Sequence, residues 1–359
     1  MPAQPAMRLV LLGDGDSPHL LKWARALGGR AEVDLWAASS RGFMAGFDAC
    51  VPPARRLALG TRPDAAGGNG ALLRHLPRLA AWLRRVDADW IHAHYLSSHG
   101  VLALLARRLL GVRARLVGSA WGSDILVTPE RSALMRAATR AVLRACALTT
   151  SDSQVMAARM RELGAGEVMV FPFGLEAMPP APGPKDDGLF FANRGLEPIY
   201  RPERVLAQFA ALAGEDGRLV VANDGSLRAA LEQQAAALQL GGRIRFVGRL
   251  GAEEQARWYA QARWYLSLPQ SDSVSVSVIE ALAHGCVPIV SDLPANRELV
   301  EDRVSGLVVP DGALLPREVA LGFLPQADAA AERNRRWVQA HALFGPAVAG
   351  FVERLGALR

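Results

Sequence analysis

Short apolar runs of strand length alternate with longer stretches of helical period along most of this chain. Met7–Leu12 is followed by Leu20–Leu27, Trp90–His92 by Gly100–Leu110, and Ala147–Thr150 by Gln154–Leu163, with Leu116–Gly118 a further strand-like run. Apolar strands each followed by an amphipathic helix are the pattern of a parallel sheet covered by helices. After Val168–Phe171 and Pro172-Phe-Gly174 the periodicity stops, and Glu176–Gly188, rich in Pro and Gly, reads as a hinge or linker. A second series then runs through Leu189–Ala192, Pro202–Leu212, Arg218–Ala222, Ser226–Leu240, Ile244–Val247, Glu253–Gln261, Trp264–Leu268, Val278–His284, Val287–Ser291 and Gly306–Val309. Ala330–Leu358 reads as one or two amphipathic helices. The pattern predicts an α/β protein of two Rossmann-like domains, 1–175 and 176–340, followed by a C-terminal helix at 341–359. Ligands are then expected outside the carboxyl ends of the strands.

With 359 residues, 50% hydrophobic and 6% aromatic, the chain can bury two cores of ordinary size. Arg107-Arg108 interrupts the run Val101–Leu110, and no apolar stretch reaches the roughly 18 residues that span a bilayer. Arg8 lies inside the first strand-like run, so the N-terminus does not read as a secretory signal, and a cytoplasmic location is expected. Cys50, Cys146 and Cys286 are odd in number and far apart, which fits reduced thiols rather than a disulfide or zinc framework. Charge is uneven. Residues 1–174 hold 22 Lys/Arg against 13 Asp/Glu, net +9, and the remainder is net −3. Such a field suits an anionic membrane surface or a phosphorylated lipid acceptor. The arginines are dispersed without interleaved aromatics, which argues against nucleic acid.

The chemistry concentrates in Ser271-Asp-Ser-Val-Ser-Val-Ser-Val-Ile-Glu280, followed by Ala-Leu-Ala-His-Gly285-Cys-Val-Pro288. Asp272 and Glu280 stand eight residues apart across a predicted strand-to-helix corner, with Ser273, Val274 and Ser275 between them small enough for backbone amides to approach an anion. This segment resembles the E-x7-E segment of retaining GT-B glycosyltransferases of family 4, with Asp272 where the family usually has Glu. The resemblance covers nearly the whole chain and is strongest from Asn193 to Gly306. It implies a GT-B architecture whose last helix crosses back onto the first domain. It also implies donor-sugar contacts at Asp272, the nucleotide ribose at Glu280, and the donor diphosphate at Arg194. Where the family places a Lys a few residues on, this chain has Tyr200-Arg201, so Arg201 is the second candidate cation. Phe246-Val-Gly248-Arg249 resembles the turn that meets the base, with Gly248 permitting close approach.

In the first half, Gly13-Asp-Gly15-Asp-Ser17-Pro-His19 follows the first strand, and the resemblance implies a loop touching acceptor and donor phosphates. Asp14-Gly-Asp16 is formally a metal-binding D-x-D, but it lies far from where that motif works in the other major glycosyltransferase fold, and the G-x-G lacks the third glycine of a dinucleotide site. His92-Ala-His94-Tyr and Trp121-Gly-Ser-Asp124 end two further strands. The family carries a His in one or both of these loops. Trp121 stands where many relatives have it, leaving His94 as the candidate base with Asp124 as its partner or substitute. His92 and His94 share a strand face, but no third metal ligand is evident. Together these readings predict a metal-independent, retaining transfer of a sugar from a nucleoside-diphosphate-sugar, a UDP- or GDP-sugar, to a hydroxyl acceptor, lipid-linked or glycan, in bacterial surface polysaccharide or glycolipid synthesis. A nucleotide-sugar 2-epimerase of the same fold and a non-catalytic sugar- or nucleotide-binding protein are the competing readings.

Overall fold

The computed structural model describes residues 6–61, 70–240 and 242–359. The chain divides into two compact units, one of residues 1–171 with 344–359 and one of residues 172–343. These boundaries lie four and three residues from those expected at 175 and 340.

The first unit is a seven-stranded parallel sheet in the order β3-β2-β1-β4-β5-β6-β7. Its strands are β1 Met7–Gly13, β2 Val33–Ser39, β3 Arg56–Ala58, β4 Trp90–His94, β5 Arg115–Ser119, β6 Cys146–Ser151 and β7 Val168–Val170. The central strands β1 and β4 are buried nearly throughout because helices cover both faces. Strand order reverses between β1 and β4, so their carboxyl ends, at Gly13 and His94, flank the switch point where open α/β sheets bind ligands. The C-terminal helix Phe344–Ala357 packs into this unit. Its Phe344 and Phe351 are fully buried and meet the Trp23 ring edge-on at 5.1 and 5.0 Å. Arg354 forks onto Glu167 with two 2.6 Å bonds, and Arg30 donates to the Gly345 carbonyl at 3.0 Å.

The second unit is a six-stranded parallel sheet in the order β10-β9-β8-β11-β12-β13. Its strands are β8 Asp186–Ala192, β9 Arg218–Ala222, β10 Ile244–Gly248, β11 Ala262–Ser267, β12 Val287–Ser291 and β13 Leu307–Val309. Here the switch point lies between β8 and β11. Helix Val276–Ala283 follows β11, buries Val278, Ile279 and Leu282, and ends where Gly285 takes φ 78°, a conformation that suits glycine. Helix Ala327–His341 ends against Leu175, whose N–H bonds the Ala342 carbonyl at 2.7 Å. Among the described residues no helix is long and apolar enough to cross a membrane.

Candidate functional site

In the second unit, β8 delivers Asn193 and Arg194 to the switch point, and the loop after β11 delivers Asp272 through Ser275. Arg194 pairs with Asp272 at 2.7 Å and donates to Ser275 Oγ at 2.6 Å, while its guanidinium lies 4.4 Å from the centre of the Tyr200 ring. Asp272 also accepts from the Ser273 amide at 3.1 Å. Burial raises the Asp272 pKa above the ordinary carboxylate range, with Arg194 pulling the other way. Ser273 and Ser275 are buried, and Val274 is a core residue, so that position offers a ligand its backbone only.

Glu280 joins this cluster through residues that have no motif of their own. The Tyr259 hydroxyl lies 3.1 Å from both Glu280 Oε2 and the Ser277 carbonyl, and Asn193 Nδ2 donates to it at 2.8 Å. Tyr265 donates to Asn193 Oδ1 at 2.7 Å. Burial, Tyr265 and Glu280 hold the Tyr259 phenol well above its usual pKa, so it stays protonated. Asn193, Tyr259 and Tyr265 escape sequence reasoning because they lie on separate elements. Their one sequence signal is an Asn directly before the candidate Arg. Gly248, at φ 72°, accepts from the Asn223 amide at 2.6 Å, and Asn223 in turn reaches the Asn193 carbonyl at 3.3 Å, so the ends of β8, β9 and β10 are tied together. Arg201 does not join Arg194. It caps the next helix in the left-handed conformation, and its guanidinium is held by exposed Asp311 at 2.7 Å.

In the first unit, β1, β4 and β5 bring Gly13, His94 and Trp121 together. A side chain at Gly13 would press within 3.2 Å of His94 Cβ. His94 is 2% exposed, and neither of its ring nitrogens has a partner. Burial, and then the neighbouring His92, His99 and His19, push its pKa well below 6.5, so the imidazole is neutral. The Trp121 ring lies 4.6 Å from His19, 5.7 Å from His94 and 5.8 Å from Tyr95, nearly parallel to the last at 17°.

Two expectations, those for Asp124 and Gly15, are corrected by the structure. Asp124 is not the partner of His94: its two oxygens accept from the Leu96 amide at 2.8 Å and the Trp121 amide at 2.9 Å, stapling the loops after β4 and β5. Gly15 does not leave room for a ligand, because the Gly42 carbonyl fills the space beside it and its own amide donates to Ser39 Oγ at 2.8 Å. Ser17 begins the following helix without a side-chain cap. Both carboxylates of Asp14-Gly-Asp16 face Arg41, at 3.3 and 3.4 Å. His92 belongs to the core, bonded to Ser119 Oγ at 2.7 Å. Among the described residues no group of three or more His, Cys, Asp or Glu is placed to hold a metal.

Residues 177–319 match the model for glycosyl transferases group 1, and residues 8–153 match that for glycosyl transferase 4-like proteins. The chain is 30% identical over 106 residues to alpha-monoglucosyldiacylglycerol synthase of Streptococcus pneumoniae, a match over 29% of this chain and 24% of that protein. It is 22% identical over 252 residues to N-acetyl-alpha-D-glucosaminyl L-malate synthase of Bacillus anthracis, covering 66% of this chain and 65% of that protein. The chain thus spans about a quarter and about two thirds of the lengths of these relatives. Among solved structures, Anabaena HepE in complex with UDP and glucose is similar with a TM-score of 0.77 at 16% identity, covering 98% of this chain and all of that one. Sucrose-phosphate synthase from Thermosynechococcus elongatus is similar with a TM-score of 0.76 at 16% identity and the same coverage. Two parallel Rossmann-like sheets of seven and six strands, together with matches that fall on both units, place this chain in the group 1, family 4-like glycosyl transferases of GT-B fold.

Proposed function

We propose that this protein is a retaining glycosyltransferase that moves a sugar from a nucleoside-diphosphate-sugar, UDP-linked in the first instance, to a hydroxyl of a glycan or lipid-linked acceptor in bacterial surface glycan or glycolipid synthesis. The Arg194–Asp272–Ser275 cluster at the β8/β11 switch point carries this reading. A buried guanidinium beside small residues at a helix start is the electrostatics a departing diphosphate needs, and Glu280, held by Tyr259, is poised to accept from ribose hydroxyls.

In the reaction the bond between the anomeric carbon and the diphosphate oxygen breaks, and the acceptor oxygen forms its bond on the same face. The acceptor proton passes to the leaving diphosphate. Arg194 and the amides around Ser273 stabilise the charge that develops there, which is the service a metal would otherwise supply. Asp272 accepts from donor-sugar hydroxyls. Neutral His94, too weak a base to take the proton outright, orients the acceptor hydroxyl. The positive field of the first unit suits an acceptor carried at an anionic membrane surface.

Calorimetric titration of UDP into the protein in EDTA tests the reading. Saturable binding that weakens about tenfold to a hundredfold in Arg194→Ala is expected, the worth of one or two charged hydrogen bonds. Binding that appears only with Mg²⁺, or that is indifferent to Arg194, would refute it.

A further inference from the structure

The loops after β4 and β5 build a feature that donor chemistry leaves unused. Tyr95 and Trp121 stack nearly parallel, with exposed His19 against the indole and unpartnered His94 beneath it. Tyr95 and Trp121 are open to solvent in part, Tyr95 at 37%, whereas His94 is not. Tyr95 also holds a left-handed backbone, φ 64° and ψ 89°, which costs a bulky residue of order 1–3 kcal/mol and marks a conformation imposed by its surroundings. Asp124 ties the two loops through the amides of Leu96, next to Tyr95, and of Trp121 itself.

We infer that this shelf binds the acceptor as a neutral pyranose ring, its apolar C–H face laid against the partly exposed Trp121–Tyr95 ring pair. The inference rests on the transferase reading and narrows its acceptor. Aromatic rings offer a flat apolar surface with a negative face, which suits the polarised C–H groups of a sugar. Charged groups on the neighbouring segments are engaged within the first unit. Asp124 has both oxygens on backbone amides, Arg41 faces Asp14 and Asp16, and the Lys22 ammonium lies 5.0 Å from the Phe344 ring.

Saturation-transfer NMR on the full chain with UDP tests this, using methyl glycosides of glucose, galactose, mannose and N-acetylglucosamine, with L-malate and glycerol in parallel samples. At least one glycoside should show transfer to its ring C–H protons, with affinity falling about tenfold in Trp121→Ala and retained in Trp121→Phe. Tyr95→Asn, which keeps a residue tolerant of the left-handed backbone, should also weaken it while leaving folding intact. Glycoside signals unchanged in both ring-deleting variants, or transfer to malate in preference to every glycoside, would overturn the inference. UDP signals in the same tube separate the two readings. UDP bound with no glycoside signal removes the shelf and leaves the transferase, whereas glycoside binding without UDP keeps the shelf and counts against a UDP-linked donor.

Discussion

Tyr259 brings its single hydroxyl to Asn193, the Ser277 carbonyl and Glu280, inside a site where each of those groups is wholly or partly withdrawn from water. Removing that oxygen leaves buried polar atoms unsatisfied, which costs about 1–3 kcal/mol, whereas the ring itself can stay in place. Tyr259→Phe should therefore lower stability by that amount in urea unfolding. It should weaken UDP binding less than Glu280→Gln does, because it loosens the carboxylate without deleting it. Equal UDP affinity in Glu280→Gln and the unchanged protein would remove Glu280 from the donor site. Arg194, Asp272 and Glu280 could be grouped from the sequence because each belongs to a short local pattern, and the structure brings them to one end of the second sheet. Asn193, Tyr259 and Tyr265 could not be, since they meet only when β8 pairs with β11 in the register that sets Phe191 beside Tyr265. Asp124 shows the opposite failure. Its sequence neighbours suggested acid/base chemistry, and the fold spends its carboxylate on two loop amides.

The alternation of strand and helix was plain where strands are buried nearly throughout and so mostly apolar, as in β1, β4, β11 and β12. β2 and β3 went unread because Asp34 breaks the apolar run of one and the other has three residues, too few for a period to show. The linker reading at 176–188 runs slightly long, for β8 begins at Asp186. The final helix could be read as amphipathic, but its destination could not, since a period specifies a buried face and not the surface that buries it. In the structure that face closes over Trp23 and His92, where Phe351 lies 5.0 Å from each ring. Phe351→Ala should cost about 3–5 kcal/mol, as for other fully buried aromatic truncations. Because His92 shares a sheet face with His94, the same variant should reduce turnover more than UDP affinity. A loss below about 1 kcal/mol by urea unfolding would show that this helix is not part of the first unit's core.

Stability of the whole chain in acid follows from three histidines buried together in the first unit. Desolvation pushes His92 down to about 3 and His99 to about 4, and holds His94 well below 6.5. Above pH 6.5 the folded and unfolded states both carry these rings neutral, and they contribute nothing to the pH dependence. As pH falls through 6.5 the unfolded chain takes up protons that the folded chain cannot, so stability declines by up to about 1.4 kcal/mol per pH unit for each ring. Asp124 and Asp272 act in the other direction, because burial raises their pKa and the folded state binds those protons first. Their windows lie between their raised values and the ordinary carboxylate range. Three rings together would remove about 4 kcal/mol per pH unit, against a total of roughly 5–15 kcal/mol for a domain of this size. The protein should therefore lose its first unit near pH 5, with Tm falling steeply from pH 6.5 downward and flat above it. Histidine C2–H resonances from these three residues should not titrate while the chain remains folded. A titration near 6.5 at any of the three would show that ring to be hydrated, and for His94 it would also restore a basicity that fits proton removal rather than orientation of the acceptor hydroxyl.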